Sequence, residues 1–244
     1  MTHTEFSNEQ YSSAYPLGIE RHYWSMARNA IIKDFLRQNK LEKKRMLEIG
    51  CGRGVVLRAL RDDSFDCYGV ELAPLTVPTG LTAYMHTGMS FEALDSELID
   101  SIEAVLLFDV IEHIEDEKAF IKDILQTFPN LTHIVVTVPA CPLLWSNYDT
   151  HYGHYRRYTY ASLRAVMHEA GLATRSASYF FHALFIPARF LTFLKRERKT
   201  RLTVPEGLSG LFHKIVALYF FIEYKFVPAR MTGTSIIGIF ARTH

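Results

Sequence analysis

Residues 46–54 read Met46-Leu47-Glu48-Ile49-Gly50-Cys51-Gly52-Arg53-Gly54, and the chain runs on into Val55-Val56-Leu57-Arg58-Ala59-Leu60. An apolar run ends in three glycines and opens a stretch with helical spacing, which predicts a strand, a tight turn and a helix. Glycine takes backbone angles closed to other residues and lets the main chain approach a ligand with no Cβ in the way. The first turn of the helix adds unpaired N–H groups at the same place. A dinucleotide fingerprint needs Gly or Ala at position 55, where Val55 stands; Glu48 ahead of the turn repels a pyrophosphate and suits a cation. Glu71 ends the next apolar run, 21 residues beyond Gly50, where a carboxylate is placed to accept hydrogen bonds from ribose hydroxyls.

Outward from this turn, short apolar runs at 45–49, 67–71, 82–87, 104–108, 133–138, 174–181 and 235–242 predict strands. Helices are expected at 22–38, 54–61, 74–80, 90–96, 117–128 and 160–170, the last with Thr159 as N-cap and Gly171 as C-cap. Trp24, Ala27, Ile31 and Phe35 share one face of the first helix. Strand–helix alternation of this kind predicts an α/β fold with a mostly parallel sheet and helices on both faces. Residues 1–20 read as an irregular arm that leads, with the first helix, over 1–40, and 140–158 as a polar, aromatic loop. Residues 182–234 are rich in Phe, Leu and Ile and too long for a structureless loop, so a helical cap inserted before the last strand is expected within one domain, 1–244.

Composition is that of an ordinary globular chain: 48% hydrophobic, 22% charged and a formal net charge of +1, which argues against a bulk nucleic-acid binder. The three cysteines, Cys51, Cys67 and Cys141, have no CxxC spacing, and the first twenty residues are polar; a reducing, cytoplasmic setting is expected. Lys195-Arg196-Glu197-Arg198-Lys199 with Arg201 follows a Phe-rich stretch; such a run is more commonly a solvated turn than a membrane-surface contact. No HExxH, no Cys/His pair at zinc spacing and no tight Asp/Asn cluster is visible, so no metal site is expected. The sequence is silent on oligomeric state.

The turn Glu48-x-Gly50-x-Gly52-x-Gly54, with an acid closing the second strand, resembles the cofactor site of class I S-adenosylmethionine-dependent methyltransferases. Phe108-Asp109-Val110-Ile111-Glu112-His113 resembles that family's D-x-x-E-H segment, and His86-Thr87-Gly88-Met89-Ser90 stands where the family places the adenine. Val138-Pro139-Ala140 and Leu144-Trp145-Ser146…Asp149…Gly153-His154-x-Arg156-Arg157-Tyr158-Thr159 resemble a subgroup that often carries small-molecule or glycan-pathway methyltransferases, as does Arg21-His22-Tyr23-Trp24…Arg28. The likeness covers roughly 15–181 and resumes at 233–235.

The resemblance implies a Rossmann-like seven-stranded sheet and methyl transfer from S-adenosylmethionine, leaving S-adenosylhomocysteine. It implies cofactor contacts at Glu48, Gly50, Cys51, Gly52, Gly54, Glu71, Leu72, Gly88, Met89, Phe108, Asp109, Val110 and Arg28. The contacts at Gly88 and Met89 are expected through the backbone. The 144–158 loop follows strand five, on the side where open α/β sheets bind ligands. A small-molecule acceptor is therefore expected against Tyr23, Trp24, Trp145, Asp149, Arg156, Arg157 and Tyr158, with the paired arginines suited to an acidic group. Arg157 is equally suited to pair with Asp149 or Glu112. His154 and His113 are the candidate bases for a hydroxyl acceptor, and His154 is preferred because Asp149 is close enough in sequence to orient it. Two other readings stay open on the residues alone: a nicotinamide-dependent dehydrogenase on a similar sheet, and a non-catalytic methyltransferase-like binding protein.

Overall fold

A computed structural model describes residues 16–197 and 203–243. The arm expected over 1–20 therefore lies outside the described residues up to residue 15, as do residues 198–202 of the basic run. Seven strands form one sheet: β1 (Met46–Ile49), β2 (Cys67–Glu71), β3 (Met85–Thr87), β4 (Ala104–Phe108), β5 (His133–Pro139), β6 (Leu172–Phe180) and β7 (Ser235–Arg242). Their order is β3-β2-β1-β4-β5-β7-β6. β1 to β5 pair in parallel and β7 runs antiparallel to both β5 and β6. Strands β1 and β4, fully buried, are continuous apolar runs broken only by Glu48, the pattern of strands covered on both faces.

The helices are α1 (Tyr23–Gln38), α2 (Val55–Arg61), α3 (Ser96–Ser101), α4 (Glu117–Thr127), α5 (Asn147–His151), α6 (Tyr160–Glu169), α7 (Phe185–Phe193) and α8 (Leu208–Phe226). One core packs Ile121 and Ile124 of α4 and Leu163 and Met167 of α6 against one face of the sheet. The other packs Ile31 and Phe35 of α1, Leu57 of α2 and Phe220 of α8 against the opposite face. The expected face of α1 is the buried one.

Local chemistry shifted several expected elements. No helix forms at 74–80, where Pro74 and Pro78 each remove a backbone donor. β3 is limited to three residues because Leu81 and Tyr84 close a turn just ahead of it. The helix expected at 90–96 begins only at Ser96, capped by the Asp95 carboxylate, which accepts from Glu97 N at 3.1 Å. Inside the expected 140–158 loop a capping box between Ser146 and Asp149 starts α5. Between β6 and β7 the chain builds α7 against the turn Pro142–Leu144, and α8 against α1.

Candidate active site

The chain leaves β1 and β4, which are neighbours, in opposite directions, so a crevice opens beyond their carboxyl ends. The glycine turn lies there. Gly50, Gly52 and Gly54 have φ of 73°, 54° and 70°, in the left-handed region that other residues enter only at a cost. A Cβ on Gly54 would stand 2.8 Å from Leu81 Cδ1, and one on Gly50 would stand 3.0 Å from Val110 Cγ2. The turn is thus packed against both the β2–β3 connection and the segment that follows β4.

Glu71 holds the turn in shape. Its carboxylate accepts from Gly52 N at 2.8 Å and from Ala73 N at 3.1 Å. Beside it opens a cleft bounded by Glu48, Gly50 and Cys51 of the turn, Trp24, Arg28 and Asn29 of α1, and Phe108. Burial pushes the Glu48 carboxyl up to about 8; the nearby Glu71 charge adds to this and Arg28 opposes it. Arg28 pairs with Asp109 at 2.6 Å and donates to Thr137 Oγ1 at 3.1 Å, while Thr137 Oγ1 donates to Asp109 Oδ1. Its guanidinium also lies over Trp24 and Phe108.

Three polar atoms around this cleft are buried without a hydrogen-bond partner: Glu48 Oε2, Asn29 Oδ1 and Arg28 Nε. Buried polar atoms without a partner are rare in folded proteins, and three around one cleft call for an explanation. Two oxygens that accept and one guanidinium N–H that donates match an amino acid, with an ammonium for the oxygens and a carboxylate for the arginine. The donor set therefore fits the zwitterionic end of S-adenosylmethionine.

The residues expected at the adenine, Gly88 and Met89, lie in the loop after β3. Gly88 N already donates to Ala73 O at 3.1 Å, and Met89 N points to Glu71 O at 3.4 Å. The 88–89 loop folds back on 71–73, so its amides are engaged within the protein. Leu72 is half-buried beside it, and Met89 and Val110 pack on the core.

A second cluster follows β4. The 141–157 loop is closed at its base, where Cys141 N donates to Tyr158 O and Tyr158 N to Pro139 O. Tyr155 N donates to Glu112 O at 2.8 Å, which lays the loop along the D-x-x-E-H segment. The rings of His113 and His154 then meet edge to face, 4.6 Å between centroids. His154 Nδ1 is 2.9 Å from Asp149 Oδ1. Asp149 also accepts from Arg157 Nε at 2.7 Å and from Ser146 N at 2.9 Å. Burial works to raise the Asp149 pKa, but the hydrogen bonds of His154 and Arg157 and the Arg157 charge outweigh it and hold it at about 2. Burial, aided by His154, lowers His113 to about 3 and keeps it neutral. Glu112 is 1% exposed, and burial and Asp109 raise its carboxyl well above the usual range.

Several residues expected to meet the acceptor are used internally. Asp149 is fully buried and orients His154 and Arg157. Arg157 spends its guanidinium on Asp149 and on Ala140 O, at 3.1 Å. Arg156 pairs with Glu117 and with Glu115 O, so the two arginines do not form a clamp. Tyr158 is 1% exposed, and its hydroxyl donates to Ile111 O. Tyr23 stacks on Phe220 of α8. Trp24 faces the cleft, and Trp145 is exposed. Sequence reasoning missed Asn29 and Thr137. The signal for Thr137 was available, a lone hydroxyl in the apolar strand His133-Ile134-Val135-Val136-Thr137-Val138.

With the geometry in place, residues 23–177 match the methyltransferase-domain family, and the chain belongs to that family. Among curated proteins it is similar to the ubiquinone biosynthesis O-methyltransferases of Rickettsia conorii, 26% identical over 106 residues, and Rickettsia canadensis, 24% identical over 106 residues. Each match takes in 41% of this chain but only 37% and 45%, respectively, of those relatives. Among solved structures the fold resembles the magnesium protoporphyrin IX methyltransferase of Synechocystis PCC 6803 with bound S-adenosylhomocysteine, at TM-score 0.52 and 12% identity, covering 98% of this chain and 90% of that one. It also resembles the 1,6-didemethyltoxoflavin N1-methyltransferase of Burkholderia thailandensis, at TM-score 0.54 and 11% identity, covering 100% and 94%.

Proposed function

We propose that this protein transfers the methyl group of S-adenosylmethionine to a hydroxyl of a small-molecule acceptor. The observation that carries the reading is the set of three orphaned polar atoms, Glu48 Oε2, Asn29 Oδ1 and Arg28 Nε, around a glycine turn whose shape Glu71 maintains. These three atoms would hold the amino-acid end of the cofactor, the glycine turn would leave room for its sulfonium, and the Glu71 carboxylate would accept from the ribose hydroxyls. The cofactor supplies an activated methyl group, so the chain's work is alignment and exclusion of water.

The acceptor stands against the His113–His154 pair, on the side of α7, which packs on the Pro142–Leu144 turn. A hydroxyl oxygen attacks the methyl carbon, the C–S bond breaks with its electron pair left on sulfur, and the hydroxyl proton passes to His154. His154 is preferred over His113 as base because Asp149 fixes its tautomer and stabilises the imidazolium, whereas burial opposes charge on His113. The similarity to O-methyltransferases of ubiquinone biosynthesis supports oxygen as the target.

The test is calorimetric titration with S-adenosylhomocysteine, followed by isotope-labelled S-adenosylmethionine with a pool of hydroxylated metabolites. One bound ligand per chain and label recovered in an ether product are expected. No binding, or label recovered only on nitrogen or carbon, defeats the reading. With an acceptor in hand, His154→Ala lowers kcat by about 10²–10⁴ with cofactor affinity unchanged; a loss under about tenfold removes the base.

A further inference from the structure

Glu112, His113 and His154 each offer one ligand atom, and these atoms all lie within 4.8 Å of one another. We propose that they bind a divalent cation of the zinc class, with a coordination position left for the acceptor's hydroxyl. Two imidazoles and one carboxylate form a borderline-soft donor set that favours zinc, cobalt or iron over magnesium or calcium. Three protein ligands with an open fourth position is the arrangement of catalytic rather than structural zinc.

Three features beyond proximity support the site. Glu112 Oε2 is buried without a partner, although an isolated buried carboxylate oxygen is costly. Nδ1 of His154 is held by the Asp149 carboxylate, which Arg157 and Ser146 hold in turn; with Nε2 as the ligand, this is the carboxylate–histidine support that orients a ligating imidazole. The ring of His113 is hydrogen-bonded to the backbone of Tyr152 and Gly153, a second fixed orientation. Closing the set from within 4.8 Å onto one ion takes a contraction of up to about 1.4 Å, since ligands near 2.0–2.1 Å from a tetrahedral ion stand roughly 3.4 Å apart.

The inference rests on the hydroxyl-acceptor reading and changes the part played by His154. In the loaded enzyme His154 is a ligand. A bound ion would be held by Glu112, His113 and His154 and would supply the Lewis acidity that eases loss of the acceptor's hydroxyl proton. The imidazole acts as base only in the metal-free protein.

The experiment takes the full chain, stripped with chelator, and titrates Zn²⁺ by competition with a chromophoric indicator and Co²⁺ by visible absorption. Expected are one ion per chain, tetrahedral or five-coordinate Co²⁺ bands, and a rise in Tm on adding Zn²⁺. Glu112→Gln and His154→Asn each weaken binding at least tenfold, and Asp149→Asn, which touches only a ligand, weakens it about 10–100-fold. Affinity for S-adenosylhomocysteine, measured on the same samples, verifies folding and separates this proposal from the cofactor reading. If His154→Asn does not fold, the isosteric Glu112→Gln carries the test. Absence of stoichiometric Zn²⁺ binding, or binding that both substitutions leave intact, overturns the site.

Discussion

Glu48 ties cofactor binding to a proton, and the size of the effect follows from its surroundings. In the ligand-free protein, burial raises its carboxyl to about 8, with Glu71 adding and Arg28 opposing. At pH 7 such a group is about nine-tenths protonated. A cationic ligand seated against it favours the ionised form and returns the group toward the ordinary carboxylate range. Binding at pH 7 then releases about 0.9 proton, and because the binding-competent carboxylate is the minority form below about 8, affinity rises with pH, about 50-fold from pH 6 to pH 8. Titration of S-adenosylmethionine in buffers of different ionisation enthalpy measures the released proton directly. Glu48→Gln keeps the shape and removes the titration, so the difference between the two proteins isolates Glu48 from the ligand's own amino group. Identical proton release in wild type and variant, or a pH slope of opposite sign in their difference, refutes the assignment of Glu48 to the cationic end of the cofactor.

Glu71→Ala removes the acceptor of Gly52 N and Ala73 N and should weaken S-adenosylhomocysteine binding by about 1–3 kcal/mol in calorimetry. Gly54→Ala places a Cβ 2.8 Å from Leu81 Cδ1 at φ 70°, and should cost about 1–3 kcal/mol of stability in denaturant unfolding together with cofactor binding. Asp149, held at about 2 against the ordinary carboxylate range, contributes about 2 kcal/mol of stability that is present above pH 4 and lost as pH falls through about 2; acid unfolding of Asp149→Asn should lack that limb.

How far the sequence was legible depended on whether an element answers to its own residues. The strands at 67–71, 104–108 and 235–242 match their expected bounds because an uninterrupted apolar run between polar breaks has no other place in an α/β sheet. The short third strand and the displaced helix after it were harder, since their ends are decided by a turn at Leu81–Tyr84 and a cap at Asp95 rather than by periodicity. The glycine turn was legible because its chemistry lies within nine consecutive residues. Arg28 and Asp109, by contrast, meet only through the fold, joined across Thr137 of β5.

The histidine cluster illustrates the limit. His113 and His154 are forty-one residues apart, and no spacing rule for metal or base pairs them. They are brought together by main-chain and core contacts that the intervening sequence does not advertise: Tyr155 N on Glu112 O, and the Tyr158 hydroxyl on Ile111 O. Tyr158 and Asp149 looked like acceptor contacts because polar and aromatic residues in a loop beyond a strand end commonly face a ligand. Their burial shows a different economy. The loop spends its tyrosine, aspartate and second arginine on holding its own shape, so that His154 is the residue it delivers to the D-x-x-E-H segment. A loop built in this way has one rigidly aimed imidazole beside Glu112 and His113, which is what either a base or a metal ligand requires. Zn²⁺ titration of the Asp149→Asn variant therefore tests the loop's purpose as well as the ion.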